Sequence, residues 1–407
     1  VAAYASFQSK NFRFLLTSSV LSVIAQQMLA TVVGWDLYEA TKSALVLGNV
    51  GLVQIIPPIL FTFAAGYAAD HYDRKRTCTI TMLLVAAVSL FLAFTTRTVA
   101  VVYTCLFFTA TARAFNWPAA SSLLPKVVAP EQLTSAISWQ GTGRELSTVG
   151  GPALAGFLIA WKGSQSVYLI QAVCCLLSAL FYSLMHVPHV VEADRPPMSW
   201  KGVAEGLRFV WNEKVVLAAL SLDLLAVFFG GAVTLLPIFA ADILHVGATG
   251  LGWLRAAPAF GAAIMAFALA HRGHVKNAGA VLLWSVAGFG IATIGFALAS
   301  SVWLSFVMLF FTGVFDSVSV VLRLSLVQMR TPDHLRGRVS AVNGLFIAAS
   351  NQWGAVESGL AAAWLGTVPS VVFGGAATIG VVALIAVFSP ALRLWRNKPH
   401  AGATAAA

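Results

Sequence analysis

"GYAADHYDRKR", residues 66–76, is the densest cluster of charge in the first hundred residues of a chain in which only 10% of residues are charged. About twenty apolar or small residues precede it and about twenty follow. Asp70, Asp73, Arg74, Lys75 and Arg76 therefore separate two segments that are each long enough to cross a hydrocarbon core. The stretch reads as a short polar loop at a membrane surface, and the whole composition agrees. Of 407 residues, 59% are apolar or aromatic, and the mean hydropathy is +0.84. A soluble protein carries roughly a quarter charged residues. So few charges cannot cover a water-facing surface, so most of the surface is expected to face lipid.

A membrane-spanning helix needs about 20 mostly apolar residues. Working outward from the loop gives twelve such runs, at about 14–38, 45–69, 77–96, 99–118, 136–161, 165–186, 215–240, 249–271, 279–299, 302–324, 340–365 and 368–389. The longest polar interval, 187–214, opens with the Pro-rich "HVVEADRPPMS". It continues into "WKGVAEGLRFVWNEK", where Trp200, Val203, Leu207, Val210 and Trp211 recur at helical spacing. That pattern predicts an amphipathic helix on the membrane surface. The expected organisation is a six-helix half over 1–187, a linker over 188–214, a second half over 215–390 and a tail over 391–407. No cleavable leader is expected. Lys10 and Arg13 ahead of the first apolar run suit an uncleaved signal-anchor.

Charge sets the expected orientation. Of the 25 Lys and Arg, four arginines lie inside helices, and only Lys42, Arg97 and Lys162 fall in one set of loops. The remaining eighteen lie on the side of the N-terminus. The bias predicts both termini in the cytoplasm. It also accounts for the net charge of +10 without nucleic acid. An internal repeat divides the chain: "APEQLTSAIS" (129–138) matches "TPDHLRGRVS" (331–340) at an offset of 202. The expected fold is an all-α membrane protein of twelve transmembrane helices in two six-helix halves.

Two such halves in parallel repeat resemble the major facilitator superfamily. "GYAADHYDRKR" is similar to its signature loop between helices 2 and 3, with Gly66, Asp70, Arg74 and Lys75 matching. His71 and Asp73 depart from the general pattern. Asp73 resembles the branch of enterobactin exporters and macrolide efflux proteins. "RAFNWPAASSLLPKVVAPEQL", "EGLRFVW", "LRAAPAFGA", "LVQMRTPDHLRGRVSAVN" and "VESGL" are similar to segments of that branch. The resemblance implies secondary transport of a small molecule, and export in exchange for protons. It also implies a latch in which Gly66 permits close helix approach. Asp70, with Asp73 and Arg74, would then bridge to the start of helix 11 near Arg336 and Arg338, where a helix N-terminus favours an anion.

Nine ionisable residues fall within or at the ends of the spans: Asp36, Arg113, Arg144, Glu145, Asp223, Arg255, Asp316, Arg323 and Glu357. Each costs several kcal/mol unless it has a partner or a water cavity. Helix direction puts Asp36, Arg255 and Glu357 near the outer side and the other six toward the inner side. Asp316 and Arg323, seven apart, share one helix face. The resemblance implies that helices 1, 4, 7 and 10 line a cavity, which brings Arg113, Asp223 and Asp316 to it. Helix 5 would abut helix 8, and 2 would abut 11, so that Glu145, Arg255 and Glu357 lie at a seam. A carboxylate in a low-dielectric site can bind and release a proton near neutrality. Asp223, Asp316 and Glu145 are the first candidates for proton coupling, with Asp36 and Glu357 behind them. Arg113 with Glu145, and Arg255 with Glu357, could equally be static pairs, and Arg144 is a further partner for intramembrane pairing.

A large amphipathic substrate needs apolar walls, aromatic faces and a few hydrogen bonds. Gln26, Gln27, Arg113, Asn116, Trp117, Arg323 and Asn351 are the candidate lining residues, with Asn343 and Gln352 nearby. "GGPALAG" (150–156) is similar to the G-P-x-x-x-G core of a helix 5 motif of proton antiporters, and predicts close packing with a bend at Pro152. No Walker loop, H-E-x-x-H or nucleophile elbow occurs, so no enzyme, ATP-driven pump or bound cofactor is expected; the resemblance implies a proton gradient as the energy source. Cys78, Cys105, Cys174 and Cys175 lack ligand-like spacing. The expected partners are the bilayer and a small molecule, bound by a monomer. Export of a lipid or metal ion on the same fold, or a non-transporting receptor, are the alternatives.

Overall fold

The computed structural model describes residues 4–187, 200–272 and 277–395. Every regular element among them is helical, as hydrocarbon requires of any chain that cannot close a barrel. In order these are α1 (Lys10–Thr41), α2 (Ala44–His71), α3 (Arg74–Phe94), α4 (Val99–Ser121), the single turn α5 (Leu124–Val127), α6 (Leu133–Lys162) and α7 (Ser164–Leu184). There follow α8 (Trp200–Asn212), α9 (Lys214–Phe229), α10 (Ala232–Ile238), a π turn at Phe239–Ile243, α11 (Gly247–Arg272), α12 (Ala278–Ala297), α13 (Val302–Arg330), α14 (Arg336–Leu365), α15 (Thr367–Phe388) and α16 (Pro390–Arg393). Residues 188–199 of the expected linker and 396–407 of the expected tail lie outside the described residues, as does the side chain of Asp70.

Ten helical runs among the described residues are long and apolar enough to cross a membrane, with Lys214–Ile243 counted as one run. α6 and α14, 30 residues each, are not among the ten. Both are rich in Ser, Thr and Gly, which lower hydropathy while letting helices approach closely.

Helix starts repeat along the chain. α1, α2, α3, α4, α6 and α7 begin at residues 10, 44, 74, 99, 133 and 164, and α9, α11, α12, α13, α14 and α15 at 214, 247, 278, 302, 336 and 367. Each displacement is 203 or 204 residues, one or two more than the loop match found in the sequence. The details follow the repeat. A 3₁₀ turn leads into α6 at Pro130–Gln132 and into α14 at Asp333–Leu335. Gly163 (φ 79°) ends α6 and Gly366 (φ 89°) ends α14, and at both places a left-handed backbone lets the next helix start at once.

The chain divides into two compact units: Val1–Met198 with Thr234–Ala256, and Ser199–Val233 with Ala257–Ala407. Thr234–Ala256 thus groups with the first unit, although the sequence pattern expects it in the second half. The reason is close packing inside unit 1. A Cβ on Gly156 would press on the Ala248 carbonyl and the Gly252 backbone, and one on Gly252 would press on the Pro152 carbonyl. "GGPALAG" on α6 is therefore a small-residue face that admits the backbone of α11, and Pro152 lies within the helix. Phe12, Leu15, Cys78, Met82, Leu123 and Tyr182 form one core of unit 1. Val216, Leu220, Leu282, Leu322, Leu326 and Val339 form that of unit 2.

In unit 2 the amphipathic α8 buries Val210 and leaves Leu207 and Trp211 exposed. Glu205 accepts from Arg338, Gly206 sits beneath the Arg338 backbone, and Glu213 pairs with Arg330 at 3.2 Å. The end of the expected linker is thereby fastened to α13 and α14.

Asp73 has a local role. Its Oδ1 accepts from the backbone N–H of Lys75 (2.9 Å) and Arg76 (3.4 Å), capping α3. Asp73→Ala is expected to lower stability by about 1 kcal/mol, while Asp73→Asn stays within a few tenths. Equilibrium unfolding in mixed micelles checks this, and equal losses for both variants would contradict the cap.

Candidate functional site

The structure sorts the intramembrane charges into those with partners and those without. In unit 1, Asp36 on α1 is nearly buried and fully engaged. Ser164 Oγ and Tyr168 Oη donate to it, the latter at 3.1 Å, and Arg97 Nε lies 3.4 Å away. The Arg97 guanidinium also rests over the Tyr168 ring at 5.4 Å. Asp36 therefore fastens α1, the loop before α4 and the start of α7 together. Three donors on one carboxylate make Asp36 a fastening point in this structure.

One turn further along α1 lies a network that the sequence reading did not single out. Tyr38 Oη donates to Asp242, which sits in the π turn. Lys42 lies 2.9 Å from Glu39, 3.9 Å from Asp242 and 4.9 Å over the Tyr38 ring. Gly34 faces Pro237 and Arg255 so closely that an added Cβ would come within 3.3 Å of the proline ring. These contacts, with Gly156 against Gly252, hold Thr234–Ala256 to the ends of α1 and α6. The only sequence signal was an aspartate beside a span end, which reads as a loop residue.

Arg113 on α4 and Arg255 on α11 form no ion pair among the described residues. Asn116 donates to Thr81 at 2.9 Å, which ties α4 to α3. Arg144 on α6 lies 4.8 Å over the ring of Trp117, which is 60% exposed, and its neighbour Glu145 is exposed without a salt bridge. Gln27 lies against Gly151, and Gln26 is exposed.

Unit 2 has a buried centre. Arg323 is 2% exposed and is the largest fully buried side chain. Its Nη2 lies 3.1 Å from Asp223, and its Nη1 donates to Asn343 at 2.7 Å. Its Nε has no partner. α9, α13 and α14 thus meet on one guanidinium. Asp316, two turns before Arg323 on α13, forms no hydrogen bond or ion pair among the described residues. Glu357 on α14 has only a long contact of 3.5 Å from Ser358. Asn351 bonds its own helix at Ile347. No three His, Cys, Asp or Glu side chains converge among the described residues.

Three of the residues expected in the latch have local partners. Arg336 pairs with Asp333 at 2.9 Å, Arg338 with Glu205, and Asp73 caps α3. A Cβ built on Gly66 would meet nothing within 4 Å among the described residues. Arg74 is buried. The Asp70 side chain, the centre of the expected latch, lies outside the described residues.

Removing Arg323 would leave Asp223 charged and unpaired in a dry interior. Arg323→Met alone is expected to destabilise unit 2 by about 3–5 kcal/mol. Adding Asp223→Asn is expected to restore most of that loss, measured as a double-mutant cycle of unfolding in mixed micelles. Equal losses for the single and double variants would show that the pair carries no coupling.

Residues 15–346 match the family model of the Major Facilitator Superfamily. The chain is 28% identical to the multidrug efflux pump Tap of Mycolicibacterium fortuitum, over 80% of this chain and 82% of the relative. It is 23% identical to the staphyloferrin A transporter of Staphylococcus aureus, over 81% and 84%. The fold is similar to that of a solved peptide transporter, POT, in complex with sulfate, with a TM-score of 0.75 at 14% identity over 96% of each chain.

Proposed function

Because the chain belongs to the major facilitator superfamily, we propose that it is a secondary active transporter that exports an amphipathic small molecule of the drug or siderophore class in exchange for protons. Two relatives of nearly full length, named as a multidrug efflux pump and a siderophore transporter, support the cargo class. The repeat of helix starts supports twelve spans in two halves, with α6 and α14 completing the ten apolar runs. At ~1.5 Å per residue each would be about 45 Å long, ample for a core of about 30 Å. The bias of Lys and Arg supports cytoplasmic termini in a bacterial inner membrane.

The observation that carries proton coupling is the shortage of cations inside the spans of unit 2. Two aspartates, Asp223 and Asp316, share one arginine, and Arg323 is committed to Asp223 and Asn343. A second charged carboxylate on a membrane helix would stand uncompensated, so Asp316 holds the exchangeable proton in this state. The neighbouring helices offer little else. α12 has no ionisable residue, α9 contributes Asp223 and, at its first residue, Lys214, and α14 contributes Arg336, Arg338 and Glu357. α11, which crosses α13 at Gly261 and Gly313, carries Arg255, His271 and Arg272.

In proteoliposomes, an imposed pH gradient is expected to drive accumulation of an exported substrate by the native chain. Asp316→Asn is expected to lose this gradient-driven accumulation by at least tenfold and to retain downhill exchange. Accumulation by Asp316→Asn equal to that of the native chain would remove Asp316 from coupling. Native transport indifferent to the gradient would overturn the proton-exchange reading.

A further inference from the structure

We propose that the α4–α6 face of unit 1, centred on Arg113 and completed by Arg144 and Trp117, is a binding site for the carboxylate of an amphipathic, ring-bearing anion. The site deepens the reading of the chain as a small-molecule exporter, and rests on it for its role in transport. α4 sets Arg113, Asn116 and Trp117 at i, i+3 and i+4, which is one helix face. The Asn116–Thr81 hydrogen bond fixes the rotation of that face, since it ties the middle of the three residues to α3. At the far end the exposed Trp117 indole has the Arg144 guanidinium 4.8 Å over it. The face thus offers a planar apolar surface with a cation over it and a second cation one turn away.

The absence of a counterion at Arg113 is the informative feature. Where an arginine has a fastening role it has a counterion: Arg323, on α13, has Asp223 and Asn343, and Arg97, in the loop before α4, has Asp36. Arg113 is only partly buried and has no hydrogen bond or ion pair among the described residues. A lone guanidinium on a membrane helix costs several kcal/mol, a cost that a visiting anion offsets. Guanidinium geometry matches a carboxylate with two parallel hydrogen bonds. Glu145, exposed, is the sequence neighbour of Arg144 on α6. Arg113, Arg144 and Glu145 together carry +1, which one carboxylate neutralises.

The test is equilibrium binding in nanodiscs of uncharged lipid, read by dansyl fluorescence with empty discs subtracted. The probes are dansyl-glutamate and its dimethyl ester, which share the ring system and differ in charge. The acid is expected to bind the native protein at least tenfold more tightly than the ester. Arg113→Gln is expected to reduce acid binding to the level of the ester and to leave the ester unchanged. Arg113→Lys is expected to retain an intermediate preference for the acid, and Arg144→Gln to weaken the acid by a smaller factor. Equal affinities for acid and ester, equal losses of both in Arg113→Gln, or no binding of the acid would each overturn the site. Binding is separate from movement. Acid-selective binding without gradient-driven efflux from proteoliposomes would sink the export reading and leave the site standing. Efflux without acid preference would do the reverse.

Discussion

A charge inside hydrocarbon must find an opposite charge, a set of hydrogen bonds or water, and the pairing of Arg323 with Asp223 shows how strongly that rule organises this chain. Arg323 joins three helices because Asp223 comes from α9 and Asn343 from α14. Asp36 does the same for unit 1 through Arg97, Ser164 and Tyr168. Once these groups are satisfied they are structural, and their geometry has little freedom. The groups left over are the ones that can respond to something arriving from outside. Arg113 and Asp316 therefore interest us because the fold keeps them without an ion pair or hydrogen bond among the described residues, as does Glu357, whose one contact is a long one from Ser358.

The repeat sharpens that contrast. A displacement of 203 residues carries Arg113 on α4 onto Asp316 on α13, so equivalent positions of the two repeats hold opposite charges. Elsewhere the repeats keep equivalent backbone positions. Asp73 and Asn277 both precede the third helix, although only Asp73 caps it with its side chain, and Gly163 and Gly366 both end the fifth. Backbone solutions are thus shared between repeats, while side chains on cavity-candidate helices diverge. A duplicated scaffold that must do two jobs, holding a proton and holding an anion, would diverge in this way.

Much of the fold was legible because apolar runs, positive charges and turn signals are local properties. The amphipathic helix at Trp200–Asn212 and the small-residue face "GGPALAG" were visible for that reason. Pairings were less so. Asp316 and Arg323 share a helix face by spacing, but the arginine's partner is Asp223, on a helix distant in sequence. Asp73 read as part of a latch, and its nearer task is to cap α3, which a resemblance to a loop motif does not convey. The Tyr38–Asp242 bond was invisible because it depends on how a broken helix winds.

That winding is the last piece of physics the sequence conceals. α9 ends at Phe229, and Gly230 and Gly231 follow before α10. Both glycines sit where side chains would collide, Gly230 with Phe289 and Gly231 with Ser358 and Gly354. After α10, with Pro237 inside it, the chain enters the π turn. A π turn takes one more residue per hydrogen-bonded ring than an α turn, so every later side chain is rotated relative to a straight helix. Phe239 and Ala240 remain buried while Asp242 comes round to Tyr38 and Lys42. In a continuous α-helix the same aspartate would point elsewhere. The irregular backbone is thus what converts an unremarkable acidic residue at a span end into the polar contact that holds Thr234–Ala256 to α1.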